Sequence, residues 1–221
     1  MKNKRPIIGM MGGVGSGKST VAAMLRDLGC VVANADANAA AVLQQEGVIA
    51  QIVSWWGKQL LDEEGQIDRS ALGEIVFSDS QKRVQLEKLI HPLVRVMQTE
   101  QFDAAPDGTI ALVIDAPLLL EGGLDSLCDA IIFVDTPRKI RHQRVLETRG
   151  WDANQLDLRE AAQLPLDTKR NKADYVINNG DELQAVRRQI EKVLADGASL
   201  TPDMGGTATT NELGAAIEAA L

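Results

Sequence analysis

Residues 7–20 read Ile-Ile-Gly-Met-Met-Gly-Gly-Val-Gly-Ser-Gly-Lys-Ser-Thr, an apolar run that passes directly into a glycine-rich segment. Within this stretch, Gly12 to Ser19 match the pattern G-x-x-x-x-G-K-[ST]. Glycines permit a tight turn whose backbone N–H groups point inward, and a following helix adds the partial positive charge of its N-terminus. The stretch therefore predicts a strand, a phosphate-binding loop (the P-loop) and a helix.

Each residue of the P-loop has an expected role. Lys18 would reach the β- and γ-phosphates of a nucleoside triphosphate, and Ser19 would ligate Mg²⁺. Thr20 is placed for a contact with the α-phosphate. The predicted cofactor-binding residues of this loop are Gly12, Gly13, Val14, Gly15, Ser16, Gly17, Lys18, Ser19 and Thr20.

Five short apolar or β-branched runs alternate with segments of helical periodicity. The runs are Ile7–Met11, Cys30–Ala33, Ile110–Ile114, Ala130–Val134 and Tyr175–Ile177. Buried strands that alternate with helices indicate a parallel sheet covered on both faces. We therefore expect an α/β protein with the three-layer fold of P-loop NTPases and a five-stranded parallel sheet.

Residues between the second and third runs are too many for a simple crossover connection. We expect a helical subdomain at about 36–107 that encloses an acceptor, with a turn at Ile67 to Arg69 and a break at His91-Pro92. The predicted P-loop domain spans 1–196. It divides into a core (1–35, 108–140 and 172–196), this insert and a lid at about 138–171. The Gly- and Thr-rich residues 197–221 predict a flexible tail, in which 211–221 could form a short helix.

Composition narrows the choice of partners. The formal net charge of −8 argues against a nucleic-acid-binding protein, whose footprint is a basic face.

Cys30 and Cys128 lie in apolar stretches without a C-x-x-C motif, so we expect buried free thiols. The apolar run that precedes Gly12 is too short for a signal peptide or a membrane span. We therefore expect a cytoplasmic protein, either a monomer or a small homo-oligomer, that contacts neither membrane nor nucleic acid.

Two carboxylates follow strands at the edge where a ligand binds in such sheets. Asp36 comes after the second strand and could accept a proton from an acceptor hydroxyl; alternatively, it could cap the next helix. Asp115 ends the third run and could hold a water on Mg²⁺, or could be a cap or turn residue. The residues alone leave both choices open.

Basic residues are concentrated in the segment 137–149. Arg141, Arg144 and Arg149 would project within roughly one half of a helix. Because phosphoryl transfer needs cations on the migrating group, this helix is a candidate lid. A solvated charged face is the alternative.

Asn171-Lys172-Ala173-Asp174 matches the N-K-x-D pattern with which GTPases select guanine. In GTPases that pattern follows a strand, whereas here it precedes one. No D-x-x-G switch follows Asp115 either. We therefore do not predict guanine specificity.

Taken together, the motifs resemble those of the dephospho-coenzyme A kinase family from Ile7 to about Val193. Besides the P-loop, the resemblance rests on an ordered series of short motifs. They are Leu28-Gly29, Ala35-Asp36, Trp56-Gly57, Ile67-Asp68-Arg69 with Leu72, Val76-Phe77, Leu86-Glu87 with His91-Pro92, Pro117-Leu118-Leu119-Leu120-Glu121, and Ala173-Asp174 leading to Ile177 and Asn178.

The resemblance implies transfer of the γ-phosphate of ATP to the ribose 3′-hydroxyl of dephospho-coenzyme A. On this basis, the expected catalytic residues are Asp36, as the base, with Lys18, Arg144 and Arg149. The expected substrate-binding residues are Asp36, His91, Leu118 and Glu121. Asn178 joins the cofactor-binding residues, and Ser19 and Asp115 are the expected metal ligands. One departure is Ala40, which stands where the family usually has an arginine.

Three other functions share parts of this pattern. A kinase of another small acceptor, such as a nucleoside or nucleoside monophosphate, could use the same fold. A regulatory or motor-type NTPase would want a switch motif or a large partner surface, and the sequence shows neither. A non-catalytic relative is the third alternative.

Overall fold

A computed structural model describes residues 5–180 and 182–198 of the chain. Its five strands form one sheet in the order β2-β3-β1-β4-β5. β1 pairs in parallel with β3 and β4, and β4 pairs in parallel with β5. The strands are β1 (Ile7–Gly12), β2 (Val31–Asn34), β3 (Leu112–Asp115), β4 (Ala130–Asp135) and β5 (Tyr175–Asn178). The predicted α/β fold with a five-stranded parallel sheet is confirmed.

The helices connect these strands in chain order. They are α1 (Lys18–Asp27), α2 (Ala35–Val42), α3 (Glu46–Trp56), α4 (Arg69–Ser78), α5 (Ser80–Asp103), α6 (Arg138–Arg149), α7 (Ala153–Ala161), α8 (Leu166–Lys172) and α9 (Leu183–Ala198). Two short 3₁₀ helices occupy Lys58–Leu60 and Leu124–Leu127. None of the helices within the described residues is long and apolar enough to cross a membrane.

The chain divides into two compact units, 34–104 and the remainder of the described residues. In the larger unit, one core lies between the sheet and two helices. Alternate strand residues such as Ile8 and Met10 of β1 pack with Leu25 of α1 and Ile190 of α9. Period-two alternation in the strands and helical spacing in α1 and α9 place these side chains on facing surfaces. This core fixes β1 and α1, the two elements that flank the P-loop.

The smaller unit has its own core, in which Val42, Ile52 and Leu86 are buried. The helix break predicted at His91-Pro92 is wrong, because α5 runs without interruption through Pro92. Proline inside a helix costs about 3 kcal/mol, since it removes a hydrogen bond and crowds the preceding turn. Apolar residues of α5 on both sides of Pro92 pack against the core, and their burial offsets that cost.

The predicted insert (36–107) and lid (138–171) are both segments of helices in the structure. The smaller unit spans 34–104 and contains α2 to α5. The predicted lid segment contains α6, α7 and α8. The predicted tail begins within the last turn of α9, and its residues 199–221, with the helix predicted at 211–221, lie outside the described residues.

Candidate active site

The P-loop joins the end of β1 to the start of α1. Gly15 and Gly17 have φ angles of 74° and 76°, a backbone conformation that side chains disfavour. Gly17 is the N-cap of α1, and no side chain caps this helix. The first N–H groups of α1 are therefore left for an anion, and the partial positive charge of the helix N-terminus favours one there.

Lys18 and Asp115 meet at the carboxyl ends of two neighbouring strands. In the register of the sheet, Met10 of β1 lies beside Asp115, the last residue of β3. The Lys18 ammonium forms an ion pair with the Asp115 carboxylate. Asp115 is 2% exposed, and such a buried charge needs a close partner. The structure thus brings together the predicted phosphate-binding lysine and one of the predicted metal ligands.

The residues at this site suit Mg²⁺. Ser19 lies in the first turn of α1 and is exposed, and the Asp115 carboxylate contacts the neighbouring residue Lys18. A hydroxyl and a carboxylate supply the oxygen ligands that Mg²⁺ prefers, and substrate phosphates and water usually complete its shell. In the described part of the chain, no group of three or more His, Cys, Asp or Glu residues could hold a metal.

Residues that follow β4 and β5 contact the P-loop from outside. Thr136 donates a hydrogen bond to the Ser16 carbonyl (2.9 Å), and Asn179 donates another (2.7 Å). Arg144 Nη1 lies 3.2 Å from the same oxygen, and Arg144 Nη2 lies 2.9 Å from the Asn179 carbonyl. The predicted arginine Arg144 is therefore held at the P-loop by two main-chain carbonyls.

Arg141 is buried and has a different set of partners. Its Nε donates to the Thr136 carbonyl (3.0 Å), and its Nη1 lies 3.3 Å from the Val14 carbonyl. It also forms an ion pair with Glu160 of α7. Arg141 thus links α6, α7 and the P-loop, and its guanidinium lies away from solvent.

Arg149, at the end of α6, stacks on Trp151. Its guanidinium carbon lies 4.7 Å from the centre of the indole ring, and that of Arg159 lies 3.9 Å from the same ring. Cation–π contacts of this kind hold a guanidinium in place while its N–H groups stay available. Two arginines of the predicted lid segment are therefore gathered on one aromatic side chain.

Glu121 and Leu118 follow β3. Glu121 accepts a hydrogen bond from the Leu164 N–H (2.9 Å) and pairs with Lys169 (2.9 Å). Burial alone would raise the pKa of Glu121, but these hydrogen bonds outweigh it and lower its pKa below the usual value. Lys169 is fully buried and donates also to the Pro117 carbonyl (2.8 Å) and to Gln163 Oε1 (3.0 Å). Leu118 is 47% exposed.

In the smaller unit, Asp36 lies in the first turn of α2 and is exposed. The Asn34 side chain caps this helix by accepting a hydrogen bond from the Ala37 N–H (2.7 Å). The alternative that Asp36 is only the helix cap is therefore excluded. His91 is exposed on α5.

Asn178 and Asp174 lie at opposite ends of β5. The main chain of Asn178 bonds to Gln189 of α9, through its N–H (2.9 Å) and its carbonyl (3.2 Å). The next residue, Asn179, is the one that contacts the P-loop. The Asp174 carboxylate accepts a hydrogen bond from the N–H of Ile131 (2.7 Å) at the start of β4. The start of β4 lies at the end of the sheet opposite to the P-loop. Asp174, the last residue of the N-K-x-D match, therefore lies at the end of the sheet away from the P-loop, whereas Asn171 and Lys172 lie in α8.

The structure places several residues around the site that no sequence motif indicated. They are Thr136, Trp151, Arg159, Lys169 and Asn179. For one of them, Asn179, the sequence held a signal, because the pair Asn178-Asn179 directly follows a predicted strand. Polar side chains at the carboxyl ends of such strands lie near the ligand-binding loops. The other four residues follow no motif with a stated mechanism.

Comparison with known proteins shows which family this chain is similar to. The family model for dephospho-CoA kinase matches residues 6–185. A dephospho-CoA kinase of Anaeromyxobacter dehalogenans is 40% identical over 192 residues, covering 86% of this chain and 91% of that relative. One from Geobacillus kaustophilus is 41% identical over 189 residues, covering 85% and 94%.

Solved structures agree with the sequence relatives. A crystal structure of a Thermus thermophilus protein has a TM-score of 0.77 at 33% identity, covering 87% of this chain and 97% of that one. Dephospho-CoA kinase from Campylobacter jejuni has a TM-score of 0.63 at 27% identity, covering 86% and 96%. The family match, these relatives and the P-loop geometry lead to one conclusion: the chain belongs to the dephospho-CoA kinase family.

Proposed function

We propose that this protein transfers the γ-phosphoryl group of ATP to the ribose 3′-hydroxyl of dephospho-coenzyme A, giving coenzyme A and ADP. The observation that carries the proposal is the match of the dephospho-CoA kinase family to residues 6–185, nearly the whole described chain. It is a phosphotransferase reaction with an alcohol acceptor, and it is the final step of coenzyme A biosynthesis.

In this reaction, ATP binds at the P-loop with its phosphates on the N–H groups at the start of α1. Lys18 contacts the β- and γ-phosphates as a cation. The loop glycines support this role, because Gly15 and Gly17 have positive φ angles. Such angles let successive backbone N–H groups form an anion-binding concavity, called a nest. The site is therefore organised to stabilise charge on phosphate oxygens, which is the main requirement of phosphoryl transfer.

Ser19 and Asp115 would hold Mg²⁺, Ser19 directly and Asp115 through a water. When bound, the ion would neutralise charge on the phosphate oxygens. Asp115 also orients Lys18 through their ion pair. These two residues thus serve both the metal and the lysine.

Arg144 and Arg149 act on the phosphates from α6. The position of Arg144 at the Ser16 carbonyl supports its role, since this places its guanidinium beside the P-loop. Arg149 would use the N–H groups that its stack on Trp151 leaves available. The segment that carries Arg149 also includes the αL glycine Gly150, where a closing motion could turn the chain.

Asp36 accepts the proton of the ribose 3′-hydroxyl and orients that oxygen for in-line attack. Its support is chemical: the carboxylate is exposed, follows a strand and is not needed as a helix cap. His91 and Leu118, both exposed, would contact the acceptor, and Glu121 would do so through the segment that its pair with Lys169 fixes. Because this transition state is loose, positioning counts for as much as proton removal.

For its location we propose the cytoplasm, and for its assembly a monomer or a small homo-oligomer without nucleic-acid or membrane partners. Both cysteines are free thiols, which suits a reducing compartment. Burial raises the pKa of Cys30 to about 11 and that of Cys128 to about 12, so neither is a reactive thiolate at neutral pH.

An ADP-release assay with a panel of acceptors tests the substrate. The panel contains dephospho-coenzyme A, adenosine, AMP, CMP and no acceptor. Of these acceptors, we expect only dephospho-coenzyme A to give turnover. Preference for a nucleoside or nucleotide would favour another small-acceptor kinase, and equal ADP release without acceptor would favour an NTPase.

A further inference from the structure

Three side-chain donors converge on the main-chain carbonyl of Ser16, in the middle of the P-loop. Asn179 Nδ2 lies 2.7 Å from this oxygen, Thr136 Oγ1 2.9 Å and Arg144 Nη1 3.2 Å. Asn179 Nδ2 also lies 3.3 Å from the Gly17 carbonyl oxygen. Because a carbonyl oxygen offers two lone pairs, these donors saturate it and fix its direction.

Asn179 is the donor best placed to fix this carbonyl. It makes the shortest of the three hydrogen bonds and is only 2% exposed. Its own backbone is anchored, because its N–H donates to the Asp135 carbonyl at 2.8 Å. Thr136 has one hydroxyl proton, which it must share between the carbonyls of Ser16 (2.9 Å) and Asp135 (2.8 Å).

The direction of the Ser16 carbonyl determines where the Gly17 N–H points. The peptide unit between Ser16 and Gly17 is planar and trans, so its C=O and N–H point to opposite sides. Holding the oxygen toward Asn179 therefore turns the Gly17 N–H the other way. A phosphate nest needs inward N–H groups, and a reversed peptide would present a carbonyl oxygen to the phosphates.

Gly17 shows how closely Asn179 packs on the loop. A Cβ atom added to Gly17 would collide with the Asn179 side-chain amide, besides being strained at a φ of 76°. Only glycine therefore lets Asn179 approach both carbonyls. Its side-chain amide donates hydrogen bonds to two main-chain carbonyls of the P-loop.

We propose that Asn179 is a positioning residue for phosphoryl transfer: it holds the Ser16–Gly17 peptide of the P-loop with its N–H toward the phosphates. Asn179 acts through the loop and does not itself contact ATP. The inference rests on the proposed function, in that the P-loop binds ATP. It predicts that removal of one amide beyond β5 weakens ATP binding and slows transfer, with little effect on the acceptor.

Asn179→Ala tests this in the full-length protein. ATP affinity is measured by calorimetry without acceptor, and kcat and both KM values are measured with dephospho-coenzyme A. We expect the Kd for ATP to rise about tenfold and kcat to fall about tenfold or more, the size that loss of a buried hydrogen bond predicts. The KM for the acceptor should not change. Gln184→Ala, which removes an exposed amide on α9, is the matched control and should behave as wild type.

Asn179→Asp is the second variant and guards against loss of folding. It keeps the shape of the side chain but replaces the donating amide with a carboxylate oxygen, which cannot donate to the two carbonyl oxygens. ATP binding should therefore be at least as weak as in Asn179→Ala. Near-UV circular dichroism checks that each variant is folded. Wild-type ATP affinity in folded Asn179→Ala, or restored affinity in Asn179→Asp, would overturn the proposal.

Thr136→Val adds a coupling measurement. Thr136 and Asn179 donate to the same oxygen, so their effects on ATP affinity should not add in the double variant. Strict additivity would contradict action through a shared carbonyl. If the wild type binds ATP but does not phosphorylate dephospho-coenzyme A, the proposed function fails, whereas the ATP-affinity comparison still decides the role of Asn179.

Discussion

At the scale of single residues, the sequence pattern cannot tell whether Asn34 or Asp36 caps α2 and which of them is left for another role. Asn34 ends β2 and Asp36 lies two residues further on, and from the sequence alone either side chain could cap α2. The structure gives the cap to Asn34, whose side chain accepts from the Ala37 N–H. Asp36 keeps an exposed carboxylate in the first turn of α2. Its proposed role as the base can therefore be tested without disturbing the cap.

Asp36→Asn keeps the shape of the side chain and removes its charge. We expect kcat to fall about 10²- to 10⁴-fold, the span of general acid–base groups, which is about 2.7 to 5.4 kcal/mol. ATP affinity and melting temperature should stay as in wild type. Steady-state kinetics and thermal melting on the same sample check this, and an unchanged kcat would rule out the catalytic role.

Asn34→Ala is the stability control for that experiment. It removes the observed cap of α2, so the free energy of unfolding should fall by about 1 kcal/mol. A larger loss of stability from Asp36→Asn than from Asn34→Ala would mean that Asp36 supports the fold.

At the scale of elements, α6 presents its arginines in different settings. Arg141 is buried and fixed to the P-loop and α7, whereas Arg149 is exposed on Trp151. A solvated charged face would leave its arginines free of such contacts. The setting of Arg149 makes it the better probe of lid function.

Arg149→Ala should lower kcat more than it weakens ATP binding, because its charge is expected to act fully only in the transition state. A fall of about 10²-fold is typical for removing one electrostatic stabiliser. Lys139→Ala, which removes an exposed cation from the same helix, is the control and should leave both unchanged. Equal kinetics in the two variants would contradict a role of Arg149 in the transition state.

The Glu121–Lys169 pair should make stability depend on pH. The pKa of Glu121 is lowered in the folded protein, so the unfolded chain binds its proton more readily. The pair's contribution is present above the unfolded pKa of about 4.3 and is lost as the pH falls through the folded pKa. Melting temperatures of wild type and Glu121→Gln should therefore differ near neutral pH and converge in acid. Parallel curves across the acid range would contradict this coupling.

The elements and the site differ in how far sequence alone could predict them. β1, the P-loop and α1 were predictable because a buried apolar run and glycines with positive φ angles are local signals. Asn179 was not, because it meets Ser16 across 163 positions of sequence and only the sheet order brings them together. The break at Pro92 was predicted from a local rule, and tertiary packing of α5 outweighed that rule.

At the scale of the whole molecule, the family match ends at residue 185, near the start of α9. The residues after Ala198 carry no family motif. A chain that ends at Ala198 should therefore keep the kcat and both KM values of the full chain. Kinetics and soluble yield of the two forms check this expectation, and a large loss in either would show that residues 199–221 take part in folding or function.

In the proposed reaction, this chain converts dephospho-coenzyme A and ATP into coenzyme A and ADP, with Lys18 on the transferring phosphates. The most direct measurement follows product formation by ³¹P NMR and mass spectrometry, with ADP quantified in the same reaction. We expect one ADP for each new ribose 3′-phosphate, and no product from a folded Lys18→Ala variant. ADP release without a 3′-phosphorylated product, or wild-type turnover by Lys18→Ala, would contradict the proposed reaction.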